Sequence, residues 1–346
     1  MPNINNSSLA LYLKSHLFNS SASAVRLAEK KPTADNIVFA QRLLRLKNSV
    51  NNPRLSQVIN YHNREMKRSE KYEKLASRAH QTDFDQLNKY SEGLGNRKNY
   101  VNVKPLERYS DVKTAEDTQI KLKNGTCMPA NQINVDGKEV AIRCQFPKEA
   151  YLEQHFKMLM EQKPAVIVVL SSQEDIAKKN LPEYFREGMQ KRYGETSVNC
   201  KSKVVKNTKK NAETKLGHLL LNHYKMNISD KTNKLDVSVI HVTNWKDRET
   251  IASDELKLLA DFVNNKVKSK CDENPSLAKQ PFIHCNAGLG RTGLLIGALL
   301  LMDKDNKKTA REVVQVMRET GSTRMVQTLE QYKTLLQLEN SLKSDS

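Results

Sequence analysis

From Met128 onward the chain alternates between two kinds of apolar spacing. Ala165-Val-Ile-Val-Val-Leu170 is an unbroken, largely β-branched run behind Pro164, which predicts a strand buried on both faces. Residues 216–228 and 235–242 predict a long hairpin turning at 229–234. Val135-Asp136-Gly137-Lys138 marks a second hairpin, because Asp-Gly tolerates the positive φ that tight turns need. Helical spacing appears at 149–162, with Leu152, Phe156, Leu159 and Met160 on one face. Ser253 is expected to cap a helix carrying Leu256, Leu259, Phe262 and Val263. Phe282-Ile283 ends a short strand, and residues 292–302 predict an apolar, buried helix. Thr309 with Glu312 forms a capping box for a helix that Gly321 stops, and a last helix is predicted over 328–342. The sum is an α/β fold: a twisted mixed β-sheet flanked by helices.

The first part of the chain has a different pattern. Residues 1–34 are rich in Ser, Asn and Ala, with one modest apolar cluster at Leu9, Leu11, Leu13, Leu17 and Phe18. A helix capped by Thr33 or Asp35 would carry Ile37, Leu43, Leu44 and Leu46 as far as the break at Asn51-Asn52-Pro53. A strongly charged, mostly helical stretch follows over 55–80, and Gly93 and Gly95 mark a loop. The organisation expected is a flexible leader, 1–34, and one domain, 35–346.

Composition narrows the chemistry. The longest apolar run, residues 293–302, is too short to span a bilayer, and no signal-peptide pattern opens the chain. The cysteines Cys127, Cys144, Cys200, Cys271 and Cys285 are scattered and show no CxxC pairing. Neither a disulfide framework nor a zinc site is expected, and a free thiol is left for chemistry. The net charge of +18 divides into a surplus of +8 over residues 1–90 and +10 over the remainder, so it is not confined to a tail. Its densest run, Lys201 to Lys210, has no interleaved aromatic residues for base stacking. Nucleic acid is therefore not an expected partner, whereas a basic surface suits phosphate groups.

The most informative segment is His284-Cys285-Asn286-Ala287-Gly288-Leu289-Gly290-Arg291-Thr292-Gly293, where a strand hands over to an apolar helix. A glycine-rich turn at a helix N-terminus presents unpaired backbone N–H groups and the positive end of the helix dipole. Gly288 and Gly290 let successive amides of Asn286, Ala287, Gly288, Leu289 and Gly290 converge on a tetrahedral oxyanion. Cys285 opens the loop, where a helix N-terminus and nearby cations favour the thiolate. Arg291 closes it with a planar fork that matches two phosphate oxygens.

This signature resembles that of the protein tyrosine phosphatases, and within them the effectors that bacteria deliver into host cells by type III secretion. The resemblance spans roughly residues 35–346. Ala141-Ile-Arg-Cys-Gln145-Phe-Pro147, Leu152-Glu-Gln-His-Phe156, residues 165–172, Leu181-Pro-Glu-Tyr-Phe185-Arg186 and Met325-Val326-Gln327 support it. It implies the tyrosine-phosphatase fold, a cysteinyl-phosphate intermediate, and no metal or cofactor. By the same resemblance Cys285 is the nucleophile and Arg291 the phosphate ligand. Trp245 is the hinge of an acid loop and Asp247 its general acid, although Lys246 replaces the usual proline. Gln327 and Gln331 would position water, Thr292 would donate to the Cys285 sulfur, and His284 would orient the loop. Tyr100 would stack on phosphotyrosine. Asn102 and Asn199 stand where the family usually has carboxylates, leaving Glu195 as a candidate brace for Arg291. The partners implied are phosphotyrosine proteins of a host cell and a secretion chaperone at the leader, with the chain acting in the host cytoplasm. The departures keep two alternatives open: a phosphotyrosine-binding module of weak activity, and a phosphatase for RNA or lipid phosphates.

Overall fold

The computed structural model describes residues 53–202 and 214–344, and the chain divides into two compact units between Ala79 and His80. The described residues of the first unit belong to α1 (Pro53–Leu94). Pro53 opens that helix, where its fixed φ and missing N–H do no harm. The leader 1–34, its expected boundary, the helix assigned to Ile37–Leu46 and the lysines of 203–210 lie outside the described residues.

The second unit is built on a ten-stranded sheet. Its main path runs, in spatial order, β3 (Gln119–Lys121), β4 (Cys127–Val135), β5 (Lys138–Cys144), β12 (Phe282–His284), β6 (Val166–Val169), β11 (Lys234–Val242), β10 (Leu219–Ser229), β8 (Thr196–Ser202) and β7 (Gln190–Tyr193). β9 (Thr214–Leu216) pairs off the path with β10, and β1 (Tyr100–Val101) with β2 (Thr114–Ala115) forms a separate ribbon. The mixed sheet flanked by helices matches the predicted fold class. Every residue of β6 is buried, as its unbroken apolar run requires.

Asp136 and Gly137, at φ 51° and 80°, make the expected turn between β4 and β5. The strand expected over 216–228 is instead divided. Gly217, at φ 61°, turns the chain so that Leu216 pairs with Leu219, separating β9 from β10. The β7–β8 hairpin has weak apolar alternation and was not foreseen; β7 is largely exposed. α4 (Ser253–Glu273) begins at Ser253 rather than being capped by it, and Ala252 holds the cap position.

α5 (Gly290–Leu301) is buried from Gly290 to Leu300, as a helix with no polar face must be. It packs on β5 and β12 and is flanked by α4, α6 (Ala310–Thr320) and α7 (Leu329–Ser344). α2 (Leu152–Gln162) lies against β8 and β10. The placement of the site follows from β5, β12, β6 and β11, which are parallel to one another. Their carboxyl ends, Cys144, His284, Val169 and Val242, therefore open toward one side. In an open α/β sheet that is where ligands bind.

Candidate active site

Four loops leave those four strand ends and meet. The loop after β12 runs from Cys285 to Leu289 and enters α5 at Gly290. Hydrogen bonds hang it from its neighbours: Phe146 N donates to the Asn286 carbonyl at 2.9 Å, Leu170 N to the His284 carbonyl at 2.8 Å, and Val326 N to the Leu289 carbonyl at 3.3 Å. Gly288 has φ +71°, and a Cβ there would be driven into the Cys144 carbonyl oxygen. Cys285, Asn286, Arg291 and Thr292 are all buried.

His284 is completely buried, and its tautomer follows from its partners. Nδ1 lies 3.2 Å from the Cys285 carbonyl, which can only accept, so Nδ1 carries the proton. Nε2 then accepts from the Tyr184 hydroxyl at 2.6 Å. Burial pushes the imidazole down to about 4, which keeps it neutral near pH 7. The neutral ring is thus bonded at both nitrogens, to Tyr184 and to the loop backbone at Cys285.

The loop after β6 leads into α3 (Gln173–Lys178), where Ser172 and Asp175 form a capping box. The Asp175 carboxylate, nearly buried, accepts from Arg291 Nη1 at 2.7 Å. Asp175 is thus the brace of Arg291. Asn199 sits on β8 opposite Gln190 and Asn227, and Glu195 pairs with Lys231 at the surface, so neither of these expected positions reaches Arg291. The Ser172–Asp175 capping box is a local signal, and nothing in it indicates a long-range partner.

The loop after β11 carries Trp245 and Asp247. Trp245 is buried; its indole Nε1 donates to the Glu249 carbonyl at 3.1 Å, and its own carbonyl accepts from Arg291 Nη1 at 2.6 Å. Asp247 Oδ1 lies 3.1 Å from Arg291 Nη2, and Oδ2 lies 2.6 Å from Lys179 Nζ. Burial alone would raise this carboxyl, but Lys179 and Arg291 outweigh it and hold it below the ordinary carboxylate value. Lys246, which stands in place of the family's proline, points to Glu174 at 3.6 Å. The Asn286 amide fits when its oxygen faces the cations, 3.1 Å from Arg291 Nη2 and 2.7 Å from Lys179 Nζ, with its nitrogen 2.6 Å from Ser171 Oγ.

The loop after β5, Gln145-Phe146-Pro147, holds a further wall. Gln145 Oε1 accepts from the backbone N–H groups of Arg108 and Tyr109 at 3.0 and 2.8 Å. Lys179, Arg108, Asp247 and Cys285 all act on the Tyr109 phenol, so this ring borders the site. Tyr100 does not. Its hydroxyl donates to the Arg318 carbonyl at 2.9 Å, and the groups acting on it are Glu319, Asp117, Tyr90 and Arg97. Tyr100, on β1, and Tyr109, in the loop after it, both lie in polar sequence, and the tether to Gln145 selects between them. Asn102 donates to the Ser110 carbonyl at 3.0 Å and braces the Tyr109 loop from outside. Asp111, on the same loop, pairs with Arg324 at 2.7 Å.

Gln327 and Gln331 complete the ring of residues. Gln327 N donates to Gln331 Oε1 at 2.9 Å, and Gln331 Nε2 to the Glu249 carbonyl at 3.3 Å. Both side chains lie over Gly290, where a Cβ would come within 2.8 Å of Gln331 Nε2 and 2.9 Å of Gln327 Oε1. Thr292 does not form the expected bond to the Cys285 sulfur; its buried hydroxyl has no partner. No group of three or more metal-ligating side chains occurs among the described residues.

A thiol, a braced guanidinium, a carboxylate and two amides around a helix N-terminus can bind a tetrahedral anion and exchange protons with it. Comparison with known proteins agrees with this chemistry. The protein-tyrosine phosphatase family profile matches residues 104–339. The secreted effector protein SptP of Salmonella paratyphi A is 33% identical over 238 residues, covering 67% of this chain and 41% of the relative. The tyrosine-protein phosphatase YopH of Yersinia pseudotuberculosis is 32% identical over 247 residues, covering 67% and 50%. The chain thus spans half or less of the length of these relatives. The catalytic domain of human protein tyrosine phosphatase non-receptor type 18 superposes with a TM-score of 0.60 at 21% identity, covering 78% of this chain and 98% of the other. This chain belongs to the protein-tyrosine phosphatase family.

Proposed function

We propose that this chain hydrolyses phosphotyrosine through a cysteinyl-phosphate intermediate. The observation that carries the reading is the convergence of Arg291, braced by Asp175 and the Trp245 carbonyl, and Asp247 on the mouth of the Cys285 loop. The phosphoryl oxygens take the loop amides and the Arg291 fork, with the Tyr109 ring beside the aryl group. The Cys285 thiolate attacks phosphorus as the bond to the tyrosyl oxygen breaks, and Asp247 gives that oxygen its proton. Water positioned by Gln327 and Gln331 then attacks phosphorus, Asp247 takes its proton back, and Cys285 leaves as thiolate with inorganic phosphate as product. The unpartnered Thr292 hydroxyl is available to the departing sulfur.

The relatives named as effectors support a role inside a host cell, with phosphotyrosine proteins as substrates and residues 1–34 as an export or chaperone-binding leader. Against the binding-module alternative, Asp175 braces Arg291 in place of Asn199, and Lys246 turns to Glu174. The test is turnover of a phosphotyrosine peptide beside phosphoserine peptide, inositol phosphate and 5′-phosphorylated RNA. Phosphotyrosine should be preferred, Cys285→Ser should abolish turnover, and Asp247→Asn should lower kcat about 10²–10⁴-fold. Radiolabel from the ester should lodge on Cys285; binding without turnover or label would overturn the reading. Secretion assays with and without residues 1–34 test the export role.

A further inference from the structure

Gln327 is aimed by a backbone that cannot hold its own shape. Val326, the residue before it, has φ 57°, a left-handed conformation that a β-branched residue rarely adopts. Such strain persists only where the surroundings enforce it. Part of that enforcement comes from α5 and its loop. Val326 N donates to the Leu289 carbonyl at 3.3 Å, and a Cβ at Gly293 would come within 2.8 Å of Val326 N. The rest comes from Arg318, buried near the end of α6. Its Nε donates to the Met325 carbonyl at 3.0 Å, and its Nη2 to the Val326 carbonyl at 3.2 Å.

Arg318 is itself held from behind. Its Nη1 donates to Asn88 Oδ1 at 3.1 Å and to Ser91 Oγ at 3.0 Å, and its guanidinium lies 5.6 Å from the centroid of the Phe84 ring. Those three residues lie on the part of α1 that belongs to the second unit. Ser91 Oγ gives its own proton to the Leu87 carbonyl at 2.8 Å, which leaves it to accept from Arg318. All the acceptors are neutral, and a charged donor binds them more firmly than an uncharged one would. Asn88, Ser91, Arg318 and Gln327 line one open cleft. The planar fork thus ties this face of α1 to the two carbonyls just ahead of Gln327.

We propose that Arg318 is a positioning residue for the second half of the reaction. Through the Met325 and Val326 carbonyls it fixes the left-handed turn that points Gln327, and the attacking water, at the Cys285 loop. This rests on the reading of Gln327 as the residue that positions water. Formation of the cysteinyl phosphate uses Arg291, Asp247 and the loop amides, and the Arg318 side chain bonds to none of them. Breakdown of the intermediate needs Gln327 in its place over Gly290. Losing the clamp therefore slows hydrolysis of the intermediate and spares its formation.

The experiment is rapid-mixing kinetics of the full chain with p-nitrophenyl phosphate, beside steady-state kcat and kcat/KM. The ratio kcat/KM reports the steps through cysteinyl-phosphate formation, and a burst of nitrophenol appears when breakdown of the intermediate limits turnover. Arg318→Lys keeps the charge, but its single nitrogen cannot serve both carbonyls and α1. It should lower kcat about tenfold, leave kcat/KM within about twofold of native, and raise the burst toward one equivalent of enzyme. Gln327→Ala should give the same signature, and adding Arg318→Lys to it should change nothing further, because both act through one group. Asn88→Ala with Ser91→Ala, which strips only Nη1, should show a milder burst and decides the matter if Arg318→Lys does not fold. Equal loss of kcat and kcat/KM in a folded variant, an absent burst, or a further loss in the combined variant would overturn the proposal. If Gln327→Ala itself turns over like the native chain, it is the assignment of Gln327 that fails.

Discussion

Asp247 shows how a single residue's behaviour depends on partners that are distant in the chain. Its two oxygens are divided between Arg291 and Lys179, 44 and 68 positions away. Both cations favour the carboxylate, whereas a general acid must carry a proton to donate it. Lys179→Met removes one of them and leaves burial to act, so the carboxyl should titrate at higher pH. The basic limb of kcat on a phosphotyrosine peptide should therefore move upward in pH, and a limb that stays in place or moves down would remove Lys179 from this role. Cys285, Arg291 and Asp247 were legible as candidate site residues because each stands in a motif. Asp175, Lys179 and Tyr109 were not, because each acquires its role only by a contact across the sheet.

At the scale of elements, local chemistry decided most of what could be read. The Asp136-Gly137 turn, the Thr309–Glu312 capping box and the apolar run of α5 are set by neighbours within a few residues. The Cys285–Leu289 loop is stricter, because its curvature depends on Gly288 at φ +71° pressed against the Cys144 carbonyl. Gly288→Ala combines a strained backbone with a clash that a backbone atom cannot relieve. A stability loss of about 2–4 kcal/mol is expected, read by thermal or urea unfolding, together with a steep fall in turnover. Native stability in that variant would mean the strand ends can part more easily than their hydrogen bonds suggest. The divided β9–β10 strand shows the converse: apolar residues run through the turn, and a single glycine overrides the pattern.

At the scale of the whole molecule, the core holds three histidines that folding keeps neutral. Burial lowers His241 and His284 to about 4 and His155 well below its ordinary value. Unfolded histidine takes its proton near about pH 6.5, so between that pH and 4 the unfolded chain binds more protons than the folded one. The stability held above about pH 6.5 is then lost as pH falls through that window, by about 3 kcal/mol for each of His241 and His284 once both states are protonated. Melting temperature should drop clearly from pH 7 to pH 5, and a flat profile there would contradict the neutral core. The four parallel strand ends belong to this scale too, since they gather Gln145, Asp175, Asp247 and Cys285 from separate parts of the chain.

The amino-acid sequence by itself determined the fold class, most of the elements and the candidate loop for phosphate, because periodicity, caps and a glycine-rich turn act over short spans. Only tertiary structure decided which carboxylate braces Arg291 and which tyrosine borders the site. Those choices depend on strand order and register, which bring residues more than a hundred positions apart within hydrogen-bonding reach. Nothing in their local spacing distinguishes Asp175 from Glu195 or Tyr109 from Tyr100; the sheet does.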